Sequence, residues 1–436
     1  MAASLQWPDT RLGALTVQNL YGYSRTIRHK LDVVHCNPEP VDFYPGVDPV
    51  MPEFLSAQDL RLLVERVFQP TEADTGLAII VDLPDERLAD NPDWAGRRQM
   101  AADWYKKLVS EQDNLGFDRI TLAWYPNAGG NNADLPAACH PGDGETVPDH
   151  ADEVSGWDSR PFADLFSTHT MVLAPTELSA TAPLKVATRD GAFRAATMPG
   201  FLPSMIPALR LDYGEINRRV NLLKELLDRA ESAHFAFMAD ETPHELVLDL
   251  RHNTGHASGG LFPDNGVAGN LPSGEAYIVP YEGEIEGDPS GSQGVLPVQI
   301  DDEVVLYRIK GNKAVEVLTS GPASVLETDH INREPAYANL AELGLGVLGD
   351  FGLKPTGSIL LDEKLGLHIA FGRSDHFGGT VGPDDFSGPD AVIHLDRVFI
   401  PETQPRVQVT EVRLLGPDLD QVIIVNGVFV GLDNNG

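Results

Sequence analysis

The segment that decides the fold is SAQDLRLLVERVFQPTEADTGLAIIVDL, residues 56–83, in which a helical pattern leads directly into a strand pattern. Ser56 and Asp59 have the spacing of a capping box, and the apolar residues behind them recur with helical periodicity. The apolar run GLAIIVDL, residues 76–83, then predicts a strand. A helix followed at once by a strand indicates one repeat of an α/β layer.

The same alternation continues along the first half of the chain. Residues 91–112 (NPDWAGRRQMAADWYKKLVSEQ) predict a helix with Pro92 in its first turn, and residues 118–125 (DRITLAWY) predict the next strand. The clearest helical pattern is DYGEINRRVNLLKELLDRAESA, residues 212–233, with one apolar stripe. We therefore predict an α/β domain over residues 1–245.

A long stretch rich in Gly, Asn, Asp and Pro, residues 126–159, interrupts this pattern and predicts a loop insertion. It contains four residues of types that bind metals: Cys139, His140, Asp149 and His150. Their spacing matches neither helix nor strand geometry, so a solvated insertion is the expected structure.

After residue 245 the pattern changes to short β runs separated by Gly-rich turns, among them EAYIVPY, VVLYRIK and VIIVNGVFV. A helical pattern survives mainly in PAYANLAELGLGVL, residues 335–348. Residues 246–436 are therefore predicted to form a β-rich α+β domain.

Composition limits the possible partners and compartment. The formal net charge is −33, from 65 acidic and 32 basic residues, which disfavours nucleic acid and anionic membranes as partners. The two cysteines, Cys36 and Cys139, lie far apart and outside any CxxC motif, which disfavours a disulfide framework or a thiolate metal site. The N-terminus lacks a signal-peptide pattern and no apolar stretch reaches ~18 residues, so we expect a cytoplasmic protein.

The apolar run AVIHLDRVFI, residues 391–400, carries His394 and Asp396 two positions apart. Residues two apart in a strand point to the same face, and buried charges need partners, so these side chains are candidates for a metal site. Three further metal-competent residues stand among apolar neighbours in this half of the chain: Glu275, Glu342 and His368.

These five residues would form a chemically coherent site if they met. Two imidazoles and three carboxylates supply a charge of −3, and two divalent cations would exceed this by one unit, which a bridging hydroxide could balance. A nitrogen and oxygen donor set without thiolate suits Zn²⁺, Co²⁺, Mn²⁺ or Fe²⁺.

The order of four motifs, NLPSGEAY, ANLAELGLG, LLDEKLGLHIAFG and AVIHLDRVF, resembles the thermophilic metallopeptidase family that includes aminopeptidases T and S. The resemblance implies an aminopeptidase T-like fold, a homodimer that encloses its active sites, and a dinuclear metal centre. It implies five metal ligands: Glu275, Glu342, His368, His394 and Asp396.

One feature departs from that family. Its members tend to carry a tyrosine near the metals shortly after the first histidine motif, whereas this chain continues HIAFGRSDHFGGT, with Asp375 and His376 near that place. We predict that His376 faces the metal cavity and donates a hydrogen bond to the oxyanion in place of the tyrosine.

Three functions follow as hypotheses. The first is a metal-dependent, aminopeptidase-like hydrolase acting on a peptide or small molecule, with Glu275 or Glu342 as the base that accepts the proton of the attacking water. The second, also drawn from the family resemblance, is a ring-cleaving dioxygenase with a single Fe²⁺ held by His368, His394 and Asp396, or another non-peptidase metalloenzyme on the same fold. The third is a metal-free binding protein.

Overall fold

Three β-sheets organise the part of the chain that the structure, a computed structural model, describes, which is residues 53–432. Cys36 and the N-terminal segment considered above lie outside these residues. The strands are, in chain order, β1 (Gly76–Leu83), β2 (Arg119–Pro126), β3 (Ala138–Gly142), β4 (Arg160–Pro161), β5 (Met171–Ala174), β6 (Arg194–Thr197), β7 (Ser232–Ala239), β8 (Thr242–Asp249), β9 (His256–Ser258), β10 (Ala268–Asn270), β11 (Glu275–Ile278), β12 (Gln293–Ile300), β13 (Glu303–Lys310), β14 (Lys313–Val317), β15 (Leu340–Gly346), β16 (Leu367–Gly372), β17 (His394–Val398), β18 (Val407–Gly416), β19 (Leu419–Val425) and β20 (Val428–Phe429).

Most of the helical structure lies between the strands of the first half. In the described residues the α-helices are α1 (Ala57–Phe68), α2 (Pro92–Ser110), α3 (Gln112–Leu115), α4 (Phe162–Thr168), α5 (Thr181–Asp190), α6 (Ile206–Leu209), α7 (Tyr213–Arg229), α8 (Pro322–Arg333) and α9 (Ile359–Asp362). None of these helices is long and apolar enough to cross a membrane.

The first half contains the predicted α/β layer. Its seven-stranded sheet has the order β10-β6-β5-β1-β2-β3-β4, and the strands from β10 to β2 are parallel. The capping box at the start of α1 is confirmed, because the Ser56 side chain accepts a hydrogen bond from the Asp59 backbone and Asp59 bonds back to Ser56. All of β1 is buried, as expected for a strand covered by helices on both faces.

The sheets use chain segments from both sides of residue 245. β10 joins the first-half sheet by pairing with β6, whereas β7 and β8 belong to an eight-stranded sheet of order β14-β13-β12-β8-β7-β18-β19-β20. All described residues fall in one compact unit. The division into domains at residue 245 stays a prediction.

The stretch at residues 126–159 contains regular structure. β3 pairs antiparallel with β2 and then with the short β4, and a 3-10 turn spans Ala151–Val154. The Cys139 side chain is buried in the apolar cluster beneath this sheet. The segment is therefore packed against the α/β layer over part of its length.

The helix predicted within residues 335–348 is wrong. A 3-10 turn covers Pro335–Ala338, and the residues that follow form β15, which is buried along its whole length. A continuous apolar run has the same appearance in a buried strand as in a buried helix, so periodicity could not separate the two. The strand requires glycine at position 344 because a neighbouring side chain approaches closely: a Cβ on Gly344 would lie 1.9 Å from His368 Nε2.

Candidate metal centre

The candidate ligands stand on a five-stranded sheet of order β17-β16-β15-β11-β9. Antiparallel register places Glu342 opposite Ala370, and Ala370 opposite Asp396. Paired residues share a face of the sheet, and alternate residues on each strand return to that face. The donor face defined in this way carries all five predicted residues: Glu275, Glu342, His368, His394 and Asp396.

Small residues separate these side chains on the donor face. Gly344 and Gly346 lie on β15, and Ala370 and Gly372 lie on β16. The imidazole of His368 fills the space above Gly344, where a Cβ would collide with it. The missing side chains thus leave room for the imidazoles and carboxylates to converge above the strands.

The first donor group consists of Glu275, Glu342 and His368, all buried. His368 Nε2 lies 3.5 Å from Glu342 Oε1 and 3.8 Å from Glu275 Oε2. Its other ring nitrogen, Nδ1, faces the carbonyl oxygen of Gly366 at 3.4 Å. This contact turns Nε2 towards the carboxylates, which is the orientation that a ligand histidine requires.

The second donor group consists of Glu342, His394 and Asp396. His394 Nε2 lies 3.2 Å from Glu342 Oε2 and 3.4 Å from Asp396 Oδ1. Its Nδ1 lies 2.7 Å from the carbonyl oxygen of Arg373, which can only accept a hydrogen bond. The proton of the neutral imidazole therefore belongs on Nδ1, and the lone pair of Nε2 faces the carboxylates.

Glu342 belongs to both groups. Its Oε1 is the oxygen nearest His368, and its Oε2 is the oxygen nearest His394. Within each group one donor atom from every residue lies within 4.8 Å of the others. One carboxylate therefore joins two adjacent sets of nitrogen and oxygen donors.

An unsatisfied oxygen tests whether this site suits a cation. Asp396 Oδ1 is buried and has no hydrogen-bond partner among residues 53–432. A buried carboxylate oxygen without a hydrogen bond is costly, and a cation bound between it and its neighbour, His394 Nε2 at 3.4 Å, would satisfy it. The donor types, the buried oxygen and the orientation of both imidazoles fit a divalent metal ion.

The pKa values of the two histidines also indicate that this face favours positive charge. Although burial lowers it, the hydrogen bond and charge of Glu342, with further help from Asp396, raise the pKa of His368 to about 10. The pKa of His394 is likewise raised well above its ordinary value despite burial, mainly by Asp396 and Glu342. The carboxylates thus attract positive charge to this face, and a metal ion would take the place of these protons.

Sequence reasoning missed Lys364, which is fully buried beside the first donor group. Its Nζ lies 3.4 Å from Glu275 Oε1 and also hydrogen-bonds to Glu363. Burial lowers its pKa, but Glu275 and Glu363 together raise it above the ordinary value, so the ammonium stays charged. The sequence feature that could have identified Lys364 is its place in the motif LLDEKLG, directly before the strand that carries His368.

His376 lies beside the second donor group, on a 3-10 turn that spans Asp375–Phe377. Its ring meets the ring of His394 edge to face, with centroids 5.2 Å apart, and its side chain is 34% exposed. Its Nδ1 lies 3.5 Å from Asp375 Oδ1. His376 is therefore next to the candidate centre, and Asp375 contacts His376 and Arg373.

No family model and no curated protein sequence matches this chain. Solved structures with a similar fold include 2,5-dihydroxypyridine dioxygenase from Pseudomonas putida KT2440, with a TM-score of 0.55 and 14% identity, and wild-type AmpT, an aminopeptidase T, from Thermus thermophilus, with a TM-score of 0.50 and 15% identity. Each alignment covers 86% of this chain and 98% of the other. At such identities the likeness shows the fold alone, and it supports a distant aminopeptidase T-like fold. The residues that could bind a metal are seen in this chain itself.

Proposed function

We propose that this protein is a metal-dependent hydrolase of the aminopeptidase type with a dinuclear metal centre. The observation that supports it is the position of Glu342, which directs one oxygen to each of two donor groups. A single ion would need only one of these groups. The proposed ligands are Glu275, Glu342, His368, His394 and Asp396.

Divalent ions held there, Zn²⁺, Co²⁺ or Mn²⁺, would lower the pKa of bound water and polarise a substrate carbonyl. The protein must then supply a base for the proton of that water. Both oxygens of Glu342 are directed at the two donor groups, which favours Glu275 for proton transfer. Lys364 pairs with both Glu275 and Glu363, and burial raises the pKa of Glu363 to about 8, so the ammonium offsets part of the −3 of the three ligand carboxylates.

His376 is proposed as the donor that binds the oxyanion. Its edge contact with His394 supports this role, because the contact places the imidazole at the border of the second donor group. Removal of one such donor typically costs about 10²–10³ in kcat. His376→Ala should therefore lose activity without losing bound metal.

The proposed substrate is a peptide or a small molecule with a free amino group, bound by a cytoplasmic homodimer. The net charge of −33 suits a cationic amino terminus and disfavours nucleic acid or an anionic membrane as a partner. The homodimer rests on the resemblance of the motifs to aminopeptidases T and S.

Two measurements test this function. Metal analysis of protein purified without chelator should find about two ions per chain, as in two-metal hydrolases. The same protein should hydrolyse aminoacyl-4-nitroanilides, and His394→Ala should lose both metal and activity while α1 to α7 stay folded. Absence of hydrolysis with metals confirmed would count against the aminopeptidase assignment.

One observation favours a second candidate, the mononuclear Fe²⁺ dioxygenase: the structural likeness to the Pseudomonas dioxygenase has a TM-score of 0.55, against 0.50 for AmpT. The three residues proposed for that reaction do not share a donor group, since His368 belongs to the first and His394 and Asp396 to the second. One iron per chain and oxygen-dependent loss of a dihydroxypyridine would establish this alternative.

A further inference from the structure

We infer that Tyr277 is a further catalytic residue, whose phenolic hydroxyl donates a hydrogen bond to the substrate oxygen on which negative charge develops. The inference rests on the proposed hydrolase function. It adds Tyr277, a residue of the strand that carries Glu275, to which the sequence analysis assigned no role.

Strand geometry places Tyr277 on the donor face. It follows Glu275 by two positions on β11, so both side chains leave the same side of the strand. In the register, Tyr277 lies opposite Gly344, and Gly344 lies opposite His368. The three residues form one row across the sheet, in which the His368 imidazole fills the space over the glycine.

Two aromatic neighbours hold the tyrosine ring in position. It stacks on the ring of His256 at a centroid distance of 5.0 Å and meets the ring of Phe377 edge to face at 4.9 Å. Phe377 in turn meets the ring of His394 at 5.4 Å. The ring is thus linked through Phe377 to His394 of the second donor group, and contacts from two elements fix its orientation.

The hydroxyl of Tyr277 is free to bind a substrate. Other buried tyrosines use theirs within the protein: Tyr281 donates to the carbonyl oxygen of Asp288 at 2.6 Å, and Tyr307 donates to Glu327 at 2.7 Å. Within the described residues, by contrast, the Tyr277 hydroxyl makes no hydrogen bond, and its side chain is only partly buried. A half-buried phenol beside a catalytic centre is a donor available to a ligand.

The chemistry requires no proton transfer from the phenol. Water adds to the carbonyl carbon, the C=O π electrons move to the oxygen, and the O–H of Tyr277 shortens its hydrogen bond to that oxygen as charge accumulates. The phenol keeps its proton, while Glu275 takes the proton of the water. Tyr277 and His376 approach the centre from different elements, β11 and the 3-10 turn, so their donors are independent.

The test compares Tyr277→Phe with wild type, both loaded with metal. The substitution keeps the ring and its two aromatic contacts and removes only the hydroxyl. With leucine 4-nitroanilide, kcat should fall about 10²–10³-fold, with KM little changed and metal content unchanged. The affinity for L-leucinephosphonic acid, a tetrahedral analogue, should fall by a factor of about 10 or more, whereas the affinity for L-leucine should stay the same.

Tyr105→Phe is the matched control, because Tyr105 is a half-buried tyrosine of α2, on the α/β layer. It should leave kcat unchanged. If Tyr277→Phe keeps wild-type kcat and phosphonate affinity, the inference is overturned while the hydrolase function stands. A joint fall in kcat and metal content would assign Tyr277 a structural role and overturn it as well. If metal-loaded wild type neither hydrolyses the nitroanilide nor binds the phosphonate, the function and the inference both fail.

Discussion

Asp82 on β1 and Asp396 on β17 are aspartates in two different sheets, and both side chains are almost fully withdrawn from solvent, at 1% and 6% exposure. Asp82 Oδ1 accepts from the backbone N–H of Glu177 at 2.8 Å and from Trp94 Nε1 at 3.1 Å. Its Oδ2 accepts from the backbone N–H of Leu178 at 2.9 Å. Asp396 Oδ1 has no hydrogen-bond partner in the described residues.

The residue type is thus the same and both carboxylates are largely withdrawn from solvent, whereas the supply of N–H donors differs. The donors around Asp82 satisfy both of its oxygens, so this carboxylate connects β1 to the segment after β5 and needs no ligand. Around Asp396 the neighbours are carboxylates and imidazoles, whose own charges are balanced only if positive charge is added. A buried carboxylate marks a binding site when its surroundings leave it short of donors.

The largest expected effect comes from Glu342, which both donor groups share. Glu342→Gln should reduce bound metal from about two ions per chain to almost none and abolish hydrolysis, because it removes a ligand from both ions of a two-metal site. Elemental analysis and circular dichroism of the purified variant check this. Retention of one full ion in the folded variant would contradict a shared carboxylate.

Asp396→Asn and Asp82→Asn test the comparison directly. Asp396→Asn should weaken binding of one ion by at least about 10–100-fold, because it changes one donor group only. Asp82→Asn should keep both ions but lower the free energy of unfolding by about 1–3 kcal/mol, because an amide cannot accept from donors on both of its ends. Metal titration and urea unfolding separate these outcomes, and equal metal loss in the two variants would remove the distinction.

A smaller effect is expected at Gly344. The added methyl of Gly344→Ala would lie 1.9 Å from His368 Nε2, so the imidazole must move and the affinity of the first donor group should fall about tenfold. Gly96→Ala on α2 is the control, since its Cβ would meet no atom within 4 Å. It should leave metal affinity unchanged and stabilise the helix by up to about 1 kcal/mol. Isothermal titration with Zn²⁺ measures both affinities.

The smallest effect is a pH dependence at Asp82. Burial raises its pKa to about 6, although the N–H groups of Leu178 and Glu177 oppose this. Because the folded pKa lies above the ordinary value of 3.8, the contribution to stability is fully present below pH ~3.8 and is lost as the pH rises through 6. The stability of wild type relative to Asp82→Asn should therefore increase, by on the order of 1 kcal/mol, as the pH falls from 6 to 4. A constant difference over this range would show that Asp82 does not titrate there.

Local rules predict the α/β layer and the common face of His394 and Asp396, whereas the meeting of all five metal-competent residues is implied only by the resemblance of the motif order to a metallopeptidase family. His394 and Asp396 meet through the period of two in a strand, and the Ser56 capping box is a spacing of three. The sequence wrongly predicts a helix around Glu342, because its neighbours are apolar on both faces. Tyr277 follows Glu275 by the same period of two, so that rule applied to β11 would have found it. Their roles as metal ligands and catalytic groups remain predictions.

Lys364 could not be found by such rules. Its contact with Glu275 depends on how the turn Glu363–Leu365 packs over β15, where the Lys364 backbone lies 2.3 Å from the place of a Cβ on Gly346. The pairing of β10 with β6 likewise joins segments that are about 70 residues apart in the chain. Contacts of this kind are set by the tertiary packing and leave no periodic pattern in the sequence.

The small residues between the ligands have a consequence for how this fold acquires new reactions. The candidate ligands stand on four hydrogen-bonded strands whose spacing of about 4.8 Å is fixed by the backbone and does not depend on the side chains above it. The glycines between them leave no spare space, since a Cβ on Gly344 would lie 1.9 Å from His368 Nε2, so the ligand positions themselves are where a side chain can change without displacing a strand. An exchange of one or two ligand side chains would therefore alter the set of donor atoms while the strand frame stays the same.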